Sequence, residues 1–221
     1  MKIYYMGILK NDIKPAHELC AEKDLSAYGI FMRRRQVVFF ASHLQSLNLN
    51  FISVSDLMTF SAKTIAERTS PGQRQDVESN ESTCHAYGHS SGLCGIIITE
   101  HSYPSLIAHQ GLSRIIDEFL TLHPLSSLKN TSPSASSNPS LGLPNLQGYL
   151  VQYQDPNQVD SVMRVQRELD ETKIVLHKTI ESVLERNVKL EDLVMKSEGL
   201  SSQSKLFYKQ AKKQNSCCLV M

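Results

Sequence analysis

The sequence predicts an α+β domain followed by a linker and a long helical rod, and three observations carry that prediction. Strand-like and helix-like patterns alternate through residues 1–124 in the order strand, strand, helix, three strands, helix, which implies an antiparallel sheet flanked by helices. Residues from about Leu125 to Pro144 are dominated by Ser, Pro and Asn, a composition that builds no core and reads as a linker. From Val162 to Gln214, apolar residues recur about every 3.5 residues, the spacing of a helix that lies along other helices.

Each element follows from local pattern. Ile3 to Leu9 is an apolar run stopped by the Asn11-Asp12 turn, and Ala16 to Leu25 returns as a second strand. Ser55 or Asp56 caps a helix that runs through Leu57, Met58, Phe60, Ala62, Ile65 and Ala66 to Thr69, closed by Pro71-Gly72. At about 100° per residue, Met58, Ala62, Ile65 and Ala66 share one face, and Phe60 points nearly the other way. A large aromatic there is either covered by another part of the chain or presented to a partner. Three strands follow, Arg74 to Glu78, Thr83 to His89 and Leu93 to Thr99, the last two joined as a hairpin around Ser90-Ser91-Gly92. Gly95-Ile96-Ile97-Ile98 has the continuous apolar character of a strand covered on both faces. The second helix starts after Pro104, buries Ala108, Leu112, Ile115, Phe119 and Leu122, and is stopped by Pro124. Tyr149 to Pro156 then leads into the rod.

The seam of that rod passes through Val162, Val165, Leu169, Thr172, Leu176, Thr179 and Val183, then Arg186, then Leu190, Leu193, Ser197, Leu200, Ser204, Phe207, Ala211 and Gln214. At ~1.5 Å per residue a continuous helix of this length is about 80 Å long. Its centre holds a guanidinium, which is costly in a seam unless partner side chains accept from all its donors. The helix therefore needs several partners, and at least one must bring hydrogen-bond acceptors to the level of Arg186.

Composition excludes other classes. The 221 residues carry a net charge of +1, so no global field draws nucleic acid, and no basic patch interleaved with aromatics is present. The first residues lack the pattern of a signal peptide, and no apolar run reaches the ~18–20 residues of a membrane span. The expectation is a cytoplasmic polypeptide in which Cys20, Cys84 and Cys94 are reduced, buried thiols. No P-loop or nucleophile-elbow pattern marks an enzyme, and no small-molecule substrate or cofactor is implied. Cys84 and His85, with His89 nearby, do not make a metal site, because adjacent strand residues face opposite ways.

The chain ends Cys217-Cys218-Leu219-Val220-Met221. Cys218-Leu219-Val220-Met221 fits the C-a-a-X prenylation signal, and the terminal Met favours farnesyl. One such chain holds a membrane only marginally, at ~0.8 kcal/mol per buried CH₂. Cys217 supplies a second signal, as a palmitoyl site or a second prenyl site, and Lys205, Lys209, Lys212 and Lys213 would add roughly 1 kcal/mol each at an anionic surface.

These residues carry a family resemblance. Val165-Gln166-Arg167-Glu168-Leu169-Asp170-Glu171-Thr172-Lys173, Leu184-Glu185-Arg186 and Lys189-Leu190-Glu191-Asp192-Leu193-Val194 resemble an R-SNARE motif. Together with Gln214-Asn215-Ser216-Cys217-Cys218, Lys2-Ile3-Tyr4, Glu67-Arg68-Thr69 and Ser102-Tyr103-Pro104, most of the chain is similar to the lipid-anchored longin R-SNAREs of the synaptobrevin superfamily. The resemblance implies a profilin-like longin domain over 1–124 with a five-stranded antiparallel sheet, a linker over 125–157, an R-SNARE coiled coil over 158–216 and a lipidation tail over 217–221. It implies a parallel bundle with three Q-SNARE helices, with Arg186 in the central layer and zippering that drives membrane fusion. It also implies later disassembly by an ATPase and its adaptor, and palmitoyl and farnesyl on Cys217 and Cys218 as the only attached groups. Cycling between cytoplasm and the cytosolic face of Golgi, endosomal, vacuolar or vesicle membranes follows.

The resemblance further implies that the longin domain folds back on the SNARE segment, autoinhibiting and targeting it. Leu57 and Phe60, off the core face of the first helix, are the expected receivers of seam residues. About 18 residues, roughly 35–52, interrupt the family pattern; they are either an elaboration of the helix entrance or a retained intron. The alternative from another class is a prenylated coiled-coil tether or adaptor without fusion activity.

Overall fold

The computed structural model describes residues 1–12, 14–26, 54–79, 82–124, 128, 141–155, 173–184, 188–197, 200, 202, 205, 206, 208 and 209. Its contacts divide into two units, Met1–Asp24 with Ala62–Val183, and Leu25–Ser61 with Leu184–Met221.

The first unit is built on a six-stranded sheet, β1 Ile3–Lys10, β2 His17–Lys23, β3 Arg74–Glu78, β4 Ser82–Gly88, β5 Leu93–Glu100 and β6 Ile174–His177, in the order β2-β1-β5-β4-β3-β6. The first five pair antiparallel, as the α+β reading requires. β5 is central and buried at every residue from Leu93 to Thr99, which explains its unbroken apolar run. The β4–β5 hairpin turns at Gly92, whose φ of 79° suits a residue without a side chain.

Among the described residues, three helices contribute to this unit. α1, Val54–Ala66, begins in the second unit and ends here, where Ala62, Ile65 and Ala66 are buried as the wheel expects. α2, Ser105–Leu122, buries Ala108, Leu112, Ile115 and Phe119 in one core with Met6, Ile8, Leu93 and Ile97. Leu122 is a correction: expected inside, it is 48% exposed in the last turn of α2. A second correction concerns the linker. Leu143 is buried, and α3, Leu146–Gln152, brings Leu146, Tyr149, Leu150 and, just beyond it, Tyr153 into the same core. Gly111 of α2 permits this approach, since a Cβ there would sit 3.0 Å from the Tyr153 ring. Apolar residues at helical spacing thus continue the domain past the Ser- and Pro-rich stretch.

The largest difference from expectation lies in the rod. Within 173–197 the described residues form β6, a 3-10 turn at Ile180–Val183 and α4, Leu190–Lys196, rather than one continuous helix. An isolated amphipathic helix owes most of its stability to partners for its apolar face. Ile174–His177 instead pair parallel with β3, which extends the expected five-stranded antiparallel sheet to six strands and makes it mixed.

Candidate functional site

The SNARE-like residues are held in two different places. In the first unit, β6 lies on the free edge of β3 with Ile174 opposite Arg74, Val175 opposite Gln75, Leu176 opposite Asp76 and His177 opposite Val77. A bare strand edge exposes unpaired N–H and C=O groups, and an added strand satisfies them whatever its side chains. Ile174 and Val175 are β-branched and fit a pleated surface, but Leu176 is left 58% exposed.

In the second unit the holding contact is apolar. Phe60 of α1 packs with Val194 and Leu200, and Leu190, Leu193 and Tyr208 close around them. Phe60 is 8% exposed, so the aromatic off the core face of α1 is covered by the chain itself. Leu57, the other expected receiver, is 52% exposed, and this is a correction: one turn earlier on the helix it lies outside the cluster that Phe60 anchors.

The fates of the seam residues differ accordingly. Leu190, Leu193 and Leu200 gather around Phe60. Leu176 and Thr179 are exposed, while Val183 and Ser197 are half-buried. Val162, Val165, Leu169, Thr172, Arg186, Ser204, Phe207, Ala211 and Gln214 lie outside the described residues, as do the lipidation cysteines Cys217 and Cys218 and the 35–52 stretch. Val194, which is not on the seam, is the most deeply buried residue of α4.

Cys20, Cys84 and Cys94 are buried free thiols. Burial pushes Cys20 and Cys94 up to about 12 and raises Cys84 well above the ordinary thiol value, so all three stay protonated and unreactive.

Beside the β3–β6 edge stands a polar cluster that no sequence pattern announced. Asp76 of β3 accepts through Oδ1 from His85 Nδ1 of β4 and from His109 Nε2 of α2, each at 2.7 Å. Its Oδ2 accepts from the Ser105 hydroxyl at 2.5 Å. His85 Nε2 lies 3.0 Å from the Thr99 hydroxyl, whereas His109 Nδ1 is buried with no hydrogen-bond partner among the described residues. Burial alone would push the Asp76 carboxyl up, but the hydrogen bonds from His109, His85 and Ser105 hold it well below the usual carboxylate range. For His109 burial wins: it lowers the imidazole despite the carboxylate beside it. The three donor atoms fall within 4.8 Å of one another. Tetrahedral bonds of ~2.0–2.1 Å to a metal would hold neighbouring ligand atoms roughly 3.3 Å apart, so contacts of 2.7 Å are those of hydrogen bonds.

Comparison with known proteins finds two family matches along the chain. Residues 44–142 match the longin family, described as a regulated-SNARE-like domain, and residues 161–219 match synaptobrevin. The synaptobrevin homologue YKT6 of Eremothecium gossypii is 49% identical over 221 residues, with the whole of both chains covered. The YKT6 homologues of Schizosaccharomyces pombe and Saccharomyces cerevisiae are 47% and 45% identical over 220 and 221 residues, again over the whole of both chains. A longin domain ahead of a synaptobrevin motif defines a longin R-SNARE. The chain belongs to that family, and its function is that of an R-SNARE in vesicle fusion. No helix among the described residues is long and apolar enough to cross a membrane.

Proposed function

We propose that this R-SNARE is held in a closed form by its own longin domain and passes from it into a parallel four-helix bundle with three Q-SNARE helices. The observation that carries the reading is that seam residues are already engaged within the chain: Leu190, Leu193 and Leu200 around Phe60, and the stretch around Leu176 as β6. A leucine packed on Phe60 is not available to a foreign helix, so the two arrangements exclude each other and their balance sets the rate of bundle formation.

In the bundle the same apolar residues turn inward, and their burial at roughly 25 cal/mol per Å² supplies the work that draws membranes together. Arg186 provides the central polar layer, where glutamine side chains of the partners accept from its guanidinium and fix the register. Farnesyl on Cys218 and a second lipid on Cys217 anchor the chain to the cytosolic face of Golgi, endosomal, vacuolar or vesicle membranes. A chain with one lipid exchanges with the cytoplasm, and one with both stays. After fusion an ATPase and its adaptor dismantle the bundle, and the chain itself performs no catalytic step.

Phe60→Glu tests this reading. Placing a carboxylate among Val194 and Leu200 costs a large desolvation penalty. The expected result is faster assembly with three Q-SNARE helices, more membrane-bound protein and quicker proteolysis within 184–221, with the sheet intact. Assembly and proteolysis at the wild-type rate in a folded variant would sink the closed-form reading. Arg186→Ala should weaken the heat-stable quaternary complex. A tether would form no such complex in either state.

A further inference from the structure

We propose that Asp76, His85 and His109 form a proton-sensitive lock on the strand edge where Ile174–His177 dock, so that acidification loosens β6. The inference rests on the reading of that edge as a holding place of the SNARE segment, and its test separates the two.

The cluster fixes the strand that β6 needs. β3 has only five residues, and Asp76 is its central one. On one side the Asp76 backbone pairs with His85 of β4, on the other with Leu176 of β6. Its carboxylate is tied to β4 through His85 and to α2 through His109 and Ser105. Any change in the cluster therefore moves the middle of the platform on which β6 lies.

His109 is the group in the cluster that a further proton disrupts. His85 has partners on both ring nitrogens. His109 is fully buried and has one: Nε2 gives its proton to Asp76, and Nδ1 faces no partner among the described residues. A second proton on His109 would place an N–H at Nδ1 where nothing described accepts it, a costly arrangement in a buried site. The charged and titratable groups around the ring oppose it further. Arg74 of β3 donates Nη1 to the His109 carbonyl at 3.1 Å and Nη2 to the Ser113 hydroxyl at 2.7 Å, and His85 of β4 stacks edge-on at 5.6 Å. Asp76 is the one anion in contact with the ring among the described residues, and Cys84 of β4 stays protonated.

The sign follows. The lock requires that release of β6 part the middle of β3 from α2 and admit water to the His109 ring. Burial depresses His109 only while that contact stands, so below about pH 6.5 this loosened state binds more protons than the docked one. Docking is then strongest at and above neutral pH and weakens as the pH falls through that value. Asp76, also depressed, contributes loss only near and below the ordinary carboxylate range. One such histidine changes the opening equilibrium about eightfold at most between pH 7.0 and 5.5.

Amide exchange of the full-length chain, corrected for intrinsic rates, tests this at the 174–177 peptide. Protection at pH 7.0 that falls several-fold by pH 5.5, while β1 and β5 remain protected, is the expected result. In His109→Gln, which keeps an amide donor for Asp76 but cannot titrate, the fall should vanish. No protection at pH 7.0 would overturn the docked-edge reading itself. Protection unchanged by acid, or a response retained in His109→Gln, would overturn the lock alone. Should His109→Gln fail to fold, imidazole NMR of the wild type decides: the His109 midpoint must coincide with that of β6 loosening, and separate midpoints contradict the inference.

Discussion

The edge strand β6 and the cluster at Phe60 hold neighbouring parts of one SNARE segment by opposite means. β6 is held through its backbone: its four residues complete the ladder of β3 while Leu176 stands in solvent. The Phe60 cluster is held through side chains, with Val194 and Leu200 buried and Leu190 and Leu193 closing around them. A backbone ladder is nearly indifferent to sequence, so a stretch whose side chains are chosen for a helical seam can still dock there. An apolar cluster needs the seam leucines themselves. The difference assigns separate work to the two places. In the proposed closed form the Phe60 cluster competes with a partner helix for the same carbon, while β6 leaves Leu176 displayed for a bundle to gain.

Substitutions sharpen that comparison in order of expected size. Phe119→Ala, in the shared core beneath the sheet, should cost about 3–5 kcal/mol of global stability by urea titration and lower both holding places only through unfolding. Phe60→Ala should cost the second unit about 2–3 kcal/mol, less because half-buried neighbours line part of the cavity, and exchange should rise at 190–200 while 174–177 stays protected. Proline tests the ladder. In a parallel pair, alternate residues direct their N–H toward the partner strand. One of Val175→Pro and Leu176→Pro should therefore release β6, by roughly 1–3 kcal/mol, and the other should cost less. Leu57→Ser should change stability by less than about 0.5 kcal/mol and leave assembly with Q-SNARE helices at the wild-type rate, since Leu57 is outside the cluster.

Much of this architecture is readable along the chain wherever one period prevails. Arg74–Glu78 is bounded by Pro71-Gly72 and a polar turn and has the limits expected of it. α2 sits between Pro104 and Pro124, and its buried face follows the 3.6-residue period until Leu122, where the helix outruns its cover. Ile174–His177 is different, because a short apolar run fits a seam and a strand equally well. The free edge of β3, a hundred residues away, decides between them, and that edge is a property of the sheet. α3 was hidden by the composition of the residues before it, although Leu146, Tyr149, Leu150 and Tyr153 carry helical spacing. Of the polar cluster nothing shows in the sequence: Asp76, His85 and His109 come from β3, β4 and α2, and only the register and the helix crossing bring them together.

The closed form is tested most directly by a reversible cross-link at the β3–β6 edge. Val77 and His177 are register partners on adjacent strands, close enough for a disulfide. Val77→Cys with His177→Cys in the full-length chain should oxidise readily, and the oxidised protein should fail to join three Q-SNARE helices until it is reduced. Cys84, the register partner of Val77 on β4, is replaced by alanine in the same chain so that it cannot capture the new thiol, and the other sheet cysteines, Cys20 and Cys94, are buried. A pair that does not cross-link in the folded chain, or an oxidised chain that assembles as fast as the reduced one, would contradict the claim that the SNARE segment is held on its own longin domain.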